Sequence, residues 1–231
     1  RWPGSSSAWQ VWLRVMRAAA GAAPGRGRFR PFEWWKREVL LDDRTVPMDD
    51  RTVGGGNGTV LRLRSTSRTH AAGPGIFADL VTANQKSNDV SLLVNRGGLA
   101  FSPAVAFPSG NTPAALAAAD LDGDNALDVV VANNNGNDVS VLLNTGKGLL
   151  SAAVHLAVEA GPAAVALADL DGNGKPDIAV ANQRSNSVSV LLNQGGGMFA
   201  MPVRYPVGQN PLALAVADLN ADGMPDLLAA N

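Results

Sequence analysis

A period of 49 residues governs the C-terminal two-thirds of this chain, and it limits the fold more than any other feature. DLDGDNALDVVVANNNGNDVSVLLN begins at Asp120, DLDGNGKPDIAVANQRSNSVSVLLN at Asp169, and DLNADGMPDLLAAN at Asp218. Asp128, Asp177 and Asp226 keep the spacing, as do Asn133, Asn182 and Asn231. One step back, ADLVTANQKSNDVSLLVN places Asp79 and Asn84 in register, so a fourth copy begins upstream. Its loop, AAGPGIFAD, has Ala71, Gly73 and Gly75 where the other copies carry oxygen-bearing side chains. Self-similarity at a fixed period is the mark of a repeat architecture, in which each unit buries its apolar faces against its neighbours.

Within a period the apolar pattern alternates and the elements are short. Leu116 and Ala118, Val165 and Leu167, and Leu214 and Val216 mark one face of a first strand that runs into an acidic loop. Asp128–Ala132 and Val139–Leu143 follow as β-branched runs around an Asn- and Gly-rich turn, where left-handed backbone is tolerated. A Gly-rich turn (Gly146, Lys147, Gly148; Gly195, Gly196, Gly197) precedes a fourth strand, Val154–Val158 or Met201–Val207. Four strands in about 50 residues predict an all-β chain, a partial β-propeller of four-stranded antiparallel blades with about three blades present. A β-solenoid and a sandwich are the alternatives. A parallel β-helix needs a shorter rung, and a helical repeat needs apolar spacings of three and four that are absent.

Two compositions meet in the chain. Residues 1–70 hold 13 of the 19 Lys and Arg, 6 of the 20 acids and all five Trp. The expected organisation is a basic, Trp-rich segment at 1–70 without assignable fold, then repeats over 71–231: partial at 71–119, full at 120–168 and 169–217, partial at 218–231. The first segment reads as an unrelated linker or as sequence translated out of frame. The competing reading is a nucleic-acid or membrane-surface arm built on Arg26, Arg28, Arg30, Trp34 and Trp35. GGGNGTV at Gly54–Val60 faintly matches the lead into a repeat's last strand. No Cys is present, which excludes disulfides and thiolate metal sites. No apolar run reaches the roughly 18 residues of a membrane span. The first residue is not Met and the last repeat breaks off within a strand, so the chain is expected to be a fragment.

The chemistry lies in the nine-residue loops. Positions 1, 3, 5 and 9 are Asp120, Asp122, Asp124 and Asp128 in one copy; Asp169, Asp171, Asn173 and Asp177 in the next; Asp218, Asn220, Asp222 and Asp226 in the third. Hard oxygens at alternate positions of a curling backbone converge on one point, which suits Ca²⁺ with its 6 to 8 flexible oxygen ligands. The carbonyl at position 7 (Ala126, Lys175, Met224) is the expected main-chain ligand, and position 6 (Asn125, Gly174, Gly223) is expected at positive φ. This is not an EF-hand, because its closing Glu at position 12 is replaced by Val131, Val180 or Ala229. Magnesium, which prefers water-rich octahedral shells, is the weaker alternative. Two to three structural ions are expected, none of them at the loop ending in Asp79.

The DxDGDG-like loop, the VxVAN strand, the NxVSVLLN strand and the Gly-rich turn resemble the FG-GAP and VCBS repeats of bacterial integrin-α-like β-propellers, over roughly Ile76 to Asn231. The resemblance implies calcium in each acidic loop at the ring's periphery, held by the residues above, with Asn173 and Asn220 weakening it. It also implies a secreted or surface-attached protein. Seven blades of this length would need about 340 residues. An open array leaves blade faces uncovered, so the chain alone is expected to unfold with poor cooperativity.

Enzyme classes find little support. The His residues are His70 and His155, and no Ser-His-Asp order, HExxH, Walker or dinucleotide motif is present. Clustered carboxylates also serve glycoside hydrolysis, but an active site is seldom built three times. Two binding classes remain: an extracellular adhesion or protein-interaction platform, and a carbohydrate-binding propeller with a surface polysaccharide as ligand. A non-catalytic repeat region attached to an enzyme is a further alternative. Lectin sites present aromatic stacking faces, whereas the repeats offer Tyr205 and a few Phe such as Phe101, Phe107 and Phe199, which favours the protein partner. Neither nucleic acid nor a membrane span is expected.

Overall fold

The computed structural model describes residues 60–64, 78–97, 100–146 and 148–231, and all regular structure among them is β. Strands β1 (Val60–Arg64), β2 (Ala78–Asn84), β3 (Asp89–Leu93) and β4 (Val105–Pro108) form a first antiparallel sheet in chain order. β5 (Pro113–Ala119), β6 (Asp128–Asn133), β7 (Asp138–Leu142) and β8 (Val154–Ala157) form a second. The third consists of β9 (Pro162–Ala168), β10 (Asp177–Asn182), β11 (Ser187–Leu191) and, beyond a separate small hairpin of β12 (Asn193–Gly195) and β13 (Met198–Phe199), the outer strand β14 (Val203–Pro206). β15 (Ala213–Ala217) pairs with β16 (Asp226–Ala230) as the first half of a fourth. These are the blades of a partial β-propeller: three complete four-stranded sheets and half of another.

The blades stack face to face. β5 lies alongside β9, and β9 alongside β15, so the first strands of successive blades are neighbours. The second strand is central and buried on both faces, and therefore reads as a nearly continuous apolar run. Val129 and Val131 of β6 pack towards the first blade with Val81, Val90, Leu92, Leu116 and Leu142. Val130 and Ala132, on the opposite face, meet Ile178, Val180 and Leu191 of the third blade. Ala179, Val188 and Val190 then face Leu214, Leu227 and Ala229. Each fully buried Val or Ile in these layers contributes about 1.5–3 kcal/mol.

A repeated polar clasp sets one blade against the next. Asn88, Asn137 and Asn186 occupy the turns between second and third strands at φ of 57°, 55° and 52°, a conformation that Asn tolerates better than most residues. Their side-chain oxygens accept the N–H groups of Thr112, Gly161 and Asn210 at 2.8, 3.0 and 2.8 Å, in the links that enter the following blades. Arg184 adds a bridge from the third blade to Asn134 and Asn135 of the second. A further link contact varies among copies. Gly110 donates its N–H to Asn133 Oδ1 at 3.2 Å, and a side chain at Gly110 would strike Asn133. Glu159 stands at that place one period on, and Asn182 Oδ1 is buried there without a partner.

The observed strands match the predicted ones within two residues, except at the start. Val60–Arg64 is the first strand of the first blade, pairing Val60 with Thr82 and Arg64 with Ala78. The first blade thus starts ahead of residue 71, and the Gly-rich stretch leads into a first strand rather than a last one. Residues 65–77 separate β1 from β2, where 120–127 suffice between β5 and β6, so counting back by 49 misses the strand. The expectations for the rest of residues 1–70 and for the loop at 71–77 lie outside the described residues. No helix of the described residues is long and apolar enough to cross a membrane.

Candidate metal centre

Each acidic loop joins the first and second strands of its blade and is shaped by its own carboxylates. Position 1 accepts N–H groups from positions 4 to 6: Gly123 and Asn125 on Asp120 (2.7 and 2.9 Å), Asn173 and Gly174 on Asp169 (3.0 and 2.8 Å), Ala221 and Gly223 on Asp218 (2.7 and 2.9 Å). Position 3 accepts from position 5, through Asp122, Asp171 and Asn220 at 3.1, 3.1 and 2.9 Å. Position 5 accepts from position 7, whose N–H belongs to Ala126, Lys175 or Met224, at 2.7, 2.8 and 2.8 Å. These bonds turn the side-chain oxygens back onto the loop's own backbone.

Position 6 adopts the expected left-handed backbone, with φ of 68° at Asn125, 81° at Gly174 and 88° at Gly223. Position 4 does so too: Gly123 and Gly172 in two loops, but Ala221 at φ 62° in the third. An alanine there costs about 1–2 kcal/mol. Ala221→Gly should therefore raise the stability of the third loop by about 1 kcal/mol after the added chain entropy, read as slower amide exchange at Gly223.

Position 9 is built differently from the others. Asp128 is fully buried, and its oxygens accept the N–H groups of Leu121 (2.8 Å) and Asn144 (2.7 Å). Asp177 repeats this with Leu170 (2.8 Å) and Asn193 (2.7 Å). Asp226, in the two-stranded sheet, is half-buried and accepts Leu219 N–H at 2.9 Å. In the degenerate first blade, Asp79 keeps the same bond from Asn95 N–H at 2.8 Å. Position 9 thus closes the loop onto the end of the third strand even where positions 1, 3 and 5 have lost their oxygens. The Asn just past each third strand is a site residue that the sequence reading missed. Asn144 and Asn193 stand 49 apart, and that regularity was the available signal.

Burial pushes Asp128 up to about 6, against the two backbone hydrogen bonds, with the charges of Asp122 and Asp124 adding to the rise. Burial also raises Asp177, again with Asp171 and Asp169 adding. Hydrogen-bond donors to the loop carboxylates include backbone N–H groups and the amides of Asn173 and Asn220. Oxygens of Asp120, Asp122 and Asp124 lie within 4.8 Å of one another, as do those of Asp169, Asp171 and Asp177. Two acidic groups can therefore each hold a metal ion, and this hard, all-oxygen donor set suits a group-2 cation. In the first, Asp128 stands outside the converging trio; in the second, Asp177 belongs to it. The third loop brings no three carboxylates together, consistent with Asn220 at position 3.

His155 is the one described histidine. Its Nδ1 lies 3.2 Å from Ser140 Oγ and 3.6 Å from Asp138 Oδ2. A Ser-His-Asp relay needs its two partners on opposite ring nitrogens, and Ser140 is fully buried, so this contact fastens an outer strand to its neighbour.

Among solved structures, the chain is similar to an Agrocybe aegerita lectin that recognises non-reducing terminal N-acetylglucosamine, with 22% identity over 74% of this chain and 46% of the lectin, at a TM-score of 0.50. It is also similar to the V. cholerae biofilm matrix protein Bap1 (20% identity, 74% of this chain, 28% of Bap1, TM-score 0.45) and to the Photorhabdus luminescens Tc holotoxin pore (26%, 65% and 8%, TM-score 0.41). It therefore spans less than half the length of each. No curated protein matches it in sequence. The model of the FG-GAP-like repeat matches residues 77–131, 120–180 and 169–229, stepping with the 49-residue period and spanning successive blades, and the chain belongs to that family.

Proposed function

We propose that the chain is a non-enzymatic, calcium-stabilised interaction module of an extracellular or cell-surface protein, in which Ca²⁺ stiffens the loops between first and second strands. The observation that carries this reading is the buried carboxylate at position 9 beside converging carboxylates. Burial, with the neighbouring carboxylates adding, disfavours the charged form of Asp128 and Asp177, and a divalent cation would offset that cost. Calcium suits the flexible, many-oxygen loop better than magnesium, and extracellular modules of this kind bind it at about 10⁻⁴ to 10⁻³ M, which fits an exterior location. A protein partner is favoured over a glycan because Tyr205 is the one exposed aromatic among the described residues. The lectin likeness supports the fold and leaves the ligand open; calcium-dependent hits on a glycan array would reverse the order of these two partners.

The decisive experiment is a calcium titration of the purified chain, with calorimetry counting ions and far-UV circular dichroism following structure. Two to three bound ions with a gain of β signal are expected; Asp120→Ala and Asp169→Ala should each remove one, and Asp218→Ala should remove one if three are bound. A folded chain that binds none would overturn the calcium reading.

A further inference from the structure

Asn193 connects two loops that belong to different blades. It is almost fully buried and uses every polar group it has. Its backbone N–H donates to Asp177 Oδ1 at 2.7 Å, inside the acidic loop of its own blade. Its side-chain NH₂ donates to Pro176 O and, across the blade interface, to Leu121 O, both at 3.0 Å. Its Oδ1 accepts Gly195 N–H at 2.8 Å, which fixes the amide's orientation, and its carbonyl accepts Asn173 Nδ2 at 3.3 Å. Leu121 is position 2 of the neighbouring acidic loop, and its N–H donates to Asp128 Oδ2 at 2.8 Å.

A continuous hydrogen-bonded path therefore runs from Asp177 through Asn193 and Leu121 to Asp128. We propose that Asn193 is a positioning residue that couples cation binding at loop 120–128 to cation binding at loop 169–177, making the two favour each other. The inference rests on the calcium reading above.

The physical reason is shared ordering. An ion that fixes Asp177 and Asn173 holds Asn193 in place, and the amide then holds the Leu121 carbonyl. The second loop thus loses less freedom when it binds, and linkage makes the benefit reciprocal. Asn144 shows what is special to Asn193. It donates to Leu127 O of its own blade at 3.2 Å, and 49 residues before Leu121 stands Ala72, in the loop that lacks acidic ligands.

The test uses the full chain with the third loop disabled by Asp218→Ala and Asp222→Ala, so that calorimetry reads calcium at the first two loops. Disabling loop 169–177 with Asp169→Ala and Asp171→Ala is expected to weaken calcium at loop 120–128 about fivefold or more. In an Asn193→Ala background the same lesion should leave that affinity within about twofold. Calcium bound at loop 120–128 with an affinity indifferent to loop 169–177 would overturn the coupling and leave the calcium reading standing. A lesion effect that survives Asn193→Ala would overturn the role of Asn193. Absence of calcium from every folded variant would overturn both readings. Amide exchange supplies a measurement that leaves Asn193 untouched: with loop 120–128 disabled by Asp120→Ala and Asp122→Ala, calcium should still slow exchange at Leu121. Exchange there that ignores calcium would count against the relay.

Discussion

Calcium-free protein should lose stability as the pH rises from about 4 to about 7, by about 3 kcal/mol from Asp128 alone. Below the ordinary carboxylate value of 3.8 both the folded and the unfolded chain hold this proton. Between 3.8 and about 6 the unfolded chain releases it while the folded chain keeps it, so folding weakens with each step in pH. Above about 6 both states are ionised, and the folded state carries the full cost of a buried carboxylate. Asp177 is shifted in the same direction and adds to the fall. Urea unfolding in EDTA across this range, compared with Asp128→Asn, isolates the contribution. The wild-type profile should slope downward relative to the variant, and calcium should restore more stability at pH 7 than at pH 5, where protons compete for the same oxygen. Parallel profiles for the two proteins would show that Asp128 is not the titrating group.

Ile178→Ala should cost about 3 kcal/mol, within the 2–5 kcal/mol seen when a buried isoleucine is truncated. Ile178 is fully buried and packs among Leu121, Val130, Ala132, Val139 and Val141, which belong to the neighbouring blade. The cavity therefore opens between blades rather than within one. Amide exchange should accelerate in β6 as well as in β10, although the substitution lies in β10 alone. Val203→Ala, on the exposed outer strand, provides the contrast: its stability change should stay within about 0.5 kcal/mol. Faster exchange confined to β10 would mean that the blades hold together by something other than this layer.

Much of the architecture was legible because the forces behind it are local. Leu116 and Ala118, and Val165 and Leu167, share one face of their strands because side chains two apart point the same way across a pleat. The left-handed turn at Asn125, Gly174 and Gly223 was visible because few residues accept that backbone. Two features escaped for the opposite reason. β1 lies behind an insertion that shifts it out of the 49-residue register, and its loop has lost the acids that mark the other copies. The role of Asn193 depends on a bond to Leu121, 72 residues away, which exists only once two blades are stacked. Position 9 was read as one more oxygen ligand. Its two backbone donors are Leu121 of its own loop and Asn144 just past the third strand, and the second of these is brought there only by the fold.

The Asn clasp at Asn88, Asn137 and Asn186 bears on shape as well as on stability. Each one fixes the rotation between a blade and its successor, and in a curved array those rotations accumulate instead of averaging out. A rotation lost at one junction is carried to every blade beyond it. Tolerance is therefore tightest at the junctions, where the same short bond recurs almost unchanged, while the outer strands drift freely in sequence between VAFP, VHLA and VRYP.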